Sequence, residues 1–151
     1  MYSSIDDIKG QLPQARIIQL TDDEQLKPAS IDAANPNCAL IISRVNAAIA
    51  SADQEINSYC GVKYSVPFAT VPDEVKRLSV EITVYNLHKR RNVPDEIATR
   101  YDKAISQLKD IAKGIKTLGI DPAPAALSEG QPQTNKTTSD RTFTRENMEG
   151  Y

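Results

Sequence analysis

Few residues in this 151-residue chain could carry covalent or metal chemistry. There is one histidine, His88, and there are two cysteines, Cys38 and Cys60. A single imidazole cannot build a histidine-rich metal site, and it leaves few routes to a base-activated nucleophile. The cysteines stand 22 positions apart in what reads as one helix. At about 1.5 Å rise per residue they would lie roughly 33 Å apart, whereas a disulfide needs Cα atoms within about 7 Å. Both are expected to be reduced, partly buried thiols of a cytosolic setting. His88, on the apolar side of its helix, is expected to be a satisfied core residue rather than a ligand. The segment TDDEQLKPASID gathers Asp22, Asp23, Glu24 and Asp32. It lacks the central glycine and the alternating oxygen spacing that bend a loop around calcium. No glycine-rich phosphate loop occurs. The expectation is a non-enzymatic chain without cofactor or metal.

The remaining chemistry is charge. The chain has 18 basic and 20 acidic residues, a formal net charge of −2, which argues against a general nucleic-acid binder. That total conceals a segregation along the sequence. Residues 1–75 carry 5 basic and 10 acidic side chains, residues 76–116 carry 10 and 5, and residues 117–151 carry 3 and 5. The basic stretch holds Lys76, Arg77, Lys89, Arg90, Arg91, Arg100, Lys103, Lys109, Lys113 and Lys116. It reads in three ways: as a solvated helix face, as a DNA-facing surface, or as the complement of an acidic face on a neighbouring copy. Lys89, Arg90, Arg91, Arg100 and Lys103 are the candidates for a subunit interface or a channel lining.

Helices must position these groups. Ser3 or Ser4 can cap a first short helix whose stripe is Ile5, Ile8 and Leu12, with Asp6 and Asp7 favourable to its dipole. Gly10 and Pro13 end or bend it, and Arg16 to Leu20 form a second short apolar turn. Residues 21–35 form a polar connection. Asn35 caps the clearest helix, with Pro36 at its first position and Gly61 just past its end. Leu40, Ile41, Val45, Ala48, Ile49, Ala52, Ile56 and Tyr59 recur there at three- and four-residue steps. After the loop VKYSVPFATVP, a helix begins with Thr70 as a possible cap and Pro72, Asp73 and Glu74 in its first turn. Its buried face is Val75, Leu78, Ile82, Tyr85 and Leu87 or His88. The last helix follows Asn92, Val93 and Pro94. Its stripe is Ile97, Tyr101, Ala104, Ile105, Leu108, Ile111 and Ile115, and Gly114 and Gly119 mark its end.

The expected architecture is all-α, a bundle of three main helices plus a short N-terminal helical pair, with an extended C-terminal arm. Residues 1–118 form the helical body and residues 119–151 the arm. Three prolines, seven Ser or Thr and eight apolar residues in those 33 positions bury too little surface to offset ordering entropy. The arm's end, DRTFTRENMEGY, reads as a short segment that orders on a partner. Asp6 and Asp7 interrupt any signal-peptide pattern, and the longest apolar run, Cys38 to Ile42, is far short of a membrane span. A soluble protein made in a cytoplasm is expected.

Three stretches carry a family resemblance: YSSIDDIKGQL…IIQLTD, ASADQEINSYCGVKYSVPFATVPDEVKRLSVEITVYNL and RYDKAISQLKDIAKGIKTLGI. Together with the terminal DRTFTRENMEGY they resemble the Mu-like phage and prophage family of small head–tail connector proteins. The resemblance implies an adaptor in the virion neck, a twelve-subunit ring beneath the portal. Such a ring extends the DNA channel and docks the tail or the next neck component. It further implies that the arm reaches onto the portal protein through Arg141, Phe143, Arg145, Met148 and Tyr151. Where relatives carry a TDRDGDG-like loop this chain has TDDEQLK, so an ion-binding role there does not transfer. The alternative from another class is a helical DNA-binding packaging or regulatory protein using Lys89, Arg90 and Arg91. Its basic residues would be expected on one exposed stripe, yet here they are spread over two helices.

Overall fold

A computed structural model describes residues 1–122. It is all-helical: α1 (Ile5–Gln11), α2 (Gln14–Thr21), a 3₁₀ turn (Pro36–Cys38), α3 (Ala39–Cys60), α4 (Asp73–Lys89) and α5 (Asp95–Lys113). The three long helices form the bundle and the short pair packs on its side, as the sequence leads one to expect. Arg141, Phe143, Arg145, Met148 and Tyr151 lie outside the described residues.

Local chemistry sets each boundary. Ser4 caps α1 through a reciprocal box: its hydroxyl accepts from Asp7 N–H at 3.3 Å, and the Asp7 carboxylate accepts from Ser4 N–H at 2.9 Å. Asn35 Oδ1 accepts from Asn37 N–H at 3.0 Å, so the predicted cap is real. It caps the 3₁₀ turn, however, and α3 starts three residues later than Pro36 would place it. Pro13, Pro72 and Pro94 each stand one position outside their helix, with ψ between 140° and 146°. Their carbonyls accept the first helical bonds, such as Lys76 N–H to Pro72 O at 3.0 Å. Thr70 therefore does not cap α4.

Gly61 is not a left-handed cap, for its φ is −60°. A Cβ there would come within 2.9 Å of Asn57 O and 3.3 Å of Val66 Cγ2, so close approach requires the glycine. Gly114 does end α5 in the left-handed region, at φ 75°. The chain turns off the helix there, and Ile115, expected on the buried stripe, is 74% exposed.

Two aliphatic cores stack along the bundle. One joins Ala52, Ile56, Val75, Leu78, Ile82, Leu108 and Ile111 with Tyr2, Tyr64 and Phe68. The other joins Ile8, Ile17, Leu20, Ile41, Val45, Ile49, Val80, Val84 and Leu87. Helices α3 and α4 run through both. Helix α4 packs against all four other helices and is buried nearly all round, including Ser79, Thr83 and His88. The single stripe expected for it was too narrow, because periodicity registers one face and α4 is covered on several. Tyr85, expected within the buried face, is only half-buried. His88 is a satisfied core residue, 1% exposed, with Nδ1 2.8 Å from Val84 O.

Candidate interaction surface

Cations gather at the C-terminal end of α4, where the helix dipole favours them. His88 anchors the last turn in the core, and Lys89, Arg90 and Arg91 emerge from it into solvent. The arginines close on one carboxylate from far away in sequence. Arg90 Nη2 donates to Asp23 Oδ2 at 2.5 Å, and Arg91 Nη2 to Oδ1 at 3.4 Å. From the second turn of α3, Arg44 Nη1 lies 3.0 Å from Asp23 Oδ2, and it also donates to Thr21 O. The Arg90 guanidinium in particular holds the Asp23 carboxyl below the ordinary carboxylate range.

The loop after α2 delivers Asp23. Its shape is set by Asp22, whose two oxygens accept from Leu26 N–H at 3.1 Å and Lys27 N–H at 2.8 Å. Gln25 and Lys27 adopt φ values of 57° and 43°, the left-handed region that non-glycine residues seldom occupy. In the acidic run TDDEQLK, Asp22 folds the turn and Asp23 pairs with arginine. Two clefts reach the arginines of this cluster. One, about 360 Å³, is lined by α2, this loop and Arg91. The other, about 340 Å³, lies between α3 and α4 and is rimmed by Arg44, Lys89 and Arg90.

The other predicted residues are dispersed. Arg100 Nη2 donates to Glu81 Oε1 at 2.7 Å and to Gln11 Oε1 at 2.9 Å, so it ties α5 to α4 and α1 rather than facing outward freely. Lys103 is exposed on α5 and has no ion pair among the described residues. Lys76 pairs with Asp7 at 2.9 Å, Arg77 with Glu74 at 2.8 Å, and Lys116 with Glu74 at 2.5 Å. Of the ten basic residues in 76–116, Lys76, Arg77, Arg90, Arg91, Arg100 and Lys116 thus meet carboxylates of their own chain. The segregation seen along the sequence is folded back on itself, acidic segment against basic segment.

A second polar cluster was missed by sequence reasoning. Tyr85 and Tyr101 stack with ring centroids 3.9 Å apart and planes 12° from parallel. Tyr101 donates to Glu55 Oε1 at 2.8 Å, and burial together with Glu55 pushes its hydroxyl pKa well up. Arg44 and Asp23 were also missed as partners, since Asp23 and Arg90 are 67 positions apart and no local pattern links them. Both cysteines are buried and free, and burial pushes the Cys60 thiol up to about 11. Among the described residues no helix is long and apolar enough to cross a membrane.

The family model described as Bacteriophage Mu, Gp36 matches residues 2–136. The Mu-like prophage FluMu protein gp36 of Haemophilus influenzae is 35% identical over 78 residues. That match spans about half of each chain, 52% of this one and 55% of the relative. Matched from Tyr2 through the whole helical body and into the segment beyond it, the chain belongs to the Bacteriophage Mu gp36 family and is a phage protein.

Proposed function

We propose that this protein is a structural head–tail connector, a non-enzymatic adaptor in the neck of the virion. It forms a closed ring under the portal, with a channel for genomic DNA, and it docks the tail or the next neck component. The observation that carries this reading is membership of the Mu gp36 phage family over residues 2–136. Two features support it. Many of the body's ionisable side chains pair with one another or fix turns. The exposed basic rim of Lys89, Arg90 and Arg91 gathers at one end of the bundle, where a repeated contact between copies would gain from avidity. Residues 119–151 serve as the portal-binding arm. Arg141, Phe143, Arg145, Met148 and Tyr151 are its anchors, and aromatic and arginine side chains are enriched among residues that dominate binding energy.

Removing residues 140–151 tests the arm. The shortened chain is expected to keep its helical circular dichroism and its ring in negative-stain images while losing capture by the purified portal protein. Retained capture refutes the arm's role. Tight, sequence-selective duplex binding in salt-titrated gel shifts would replace the connector with a DNA-binding regulator.

A further inference from the structure

The Arg44–Arg90–Arg91 cluster has more capacity than its resident carboxylate uses. Each guanidinium offers five N–H donors, while one carboxylate offers about four acceptor sites. Three positive charges face a single negative one. The Asp23 side chain is 38% exposed, and residues 23–27 around it are exposed throughout. Lifting Asp23 away would therefore uncover no core. The two clefts bring open space to Arg91 in one and to Arg44 and Arg90 in the other.

We infer that this cluster is a carboxylate-exchange dock for a second copy of the chain. An acidic side chain of the neighbouring copy takes the place of Asp23 on Arg44, Arg90 and Arg91. The inference rests on the ring reading above and names the contact by which subunits engage. Exchange is contact for contact: the three arginines hold one carboxylate before and after, while Asp23 turns out into solvent. A duplex fits less well, because its phosphates follow one another about every 1.7 Å along the axis and would press on Asp22 and Glu24 in the same loop. The chain itself supplies suitable donors of charge: Asp95, Glu96 and Asp102 are exposed and make no ion pair among the described residues. In this scheme Asp23 is a competitor that keeps the free subunit from associating too readily.

The test is the sign of an effect. Full-length wild-type, Asp23→Asn and Asp23→Ser chains are compared by sedimentation velocity over a concentration series, with circular dichroism as the check on folding. Both variants are expected to associate at about tenfold lower concentration than wild type, the scale of one charge-assisted contact. Arg90→Glu with Arg91→Glu is expected to raise that concentration by at least as much. Association of both Asp23 variants at an unchanged or higher concentration overturns the exchange, as does loss of the helical spectrum in both. The ring reading survives either result provided that wild type still forms rings. Wild type that never associates sinks both. A gain in duplex affinity by the Asp23 variants without a change in association overturns the exchange and assigns the cluster to phosphate.

Discussion

Glu74 shows how one side chain binds distant parts of this fold. It accepts from Arg77 at 2.8 Å on its own helix and from Lys116 at 2.5 Å beyond α5. These partners, Arg77 first, draw its carboxyl pKa from 4.5 to about 2. A group whose pKa is lowered on folding stabilises the folded state above its unfolded pKa and loses that contribution as pH falls through the folded value. The full shift converts to about 3 kcal/mol. Screening at a side chain 29% exposed reduces this to about 1 kcal/mol. Glu74→Gln is therefore expected to lower unfolding free energy by about 1 kcal/mol at pH 7. The gap between variant and wild type should close between pH 4.5 and 2, as read by urea denaturation at successive pH values. A gap that persists below pH 2 would locate the effect elsewhere. Half of this residue's role is legible locally, since an acid in the first turn of a helix beside Arg77 is a short-range pattern. Lys116, 42 positions away, is not.

At the scale of elements, punctuation decides where helices stop and which side chains they release. Gly114 closes α5 in a left-handed conformation, and Ile115 N–H returns to Asp110 O at 2.9 Å. A Cβ at Gly114 would also run into the flexible end of Lys63, with Nζ only 1.8 Å away. Lys63 can move aside, so backbone strain dominates. Gly114→Ala is expected to cost about 1 kcal/mol, measured as a lower midpoint in denaturant with an unchanged slope. A neutral result would mean that the turn re-forms without its left-handed residue. The existence and order of the helices were readable from periodicity and proline placement, and so was Gly114 as a stop. The role of Gly61 was not, because its constraint is the close approach of Asn57 O and of Val66 from the following loop, which depends on how the chain leaves the helix. Asn35 was readable as a cap, but the 3₁₀ turn it starts was not, since the same residues open either kind of helix.

At the scale of the whole molecule, α3 and α4 thread both cores and make them one cooperative unit. Ile49 lies in one core and Leu108 in the other, both fully buried. Ile49→Ala and Leu108→Ala are each expected to cost about 3 kcal/mol. Both should shift the same single transition in thermal unfolding followed by circular dichroism. A separate early transition in either variant would show that the two cores fold independently. What the sequence alone determined here is the class and the parts list: helical periods, caps, an aliphatic core, scarce reactive residues and a charge split along the chain. These follow from interactions within a few residues of one another, which a linear pattern records. Only the tertiary structure decided that α4 is central, that Ile115 points to solvent, and that the split charges meet within one chain around Asp7, Asp23 and Glu74. Those facts depend on which surfaces the packing brings together, and contacts spanning 40 to 70 positions leave no periodic trace in the sequence.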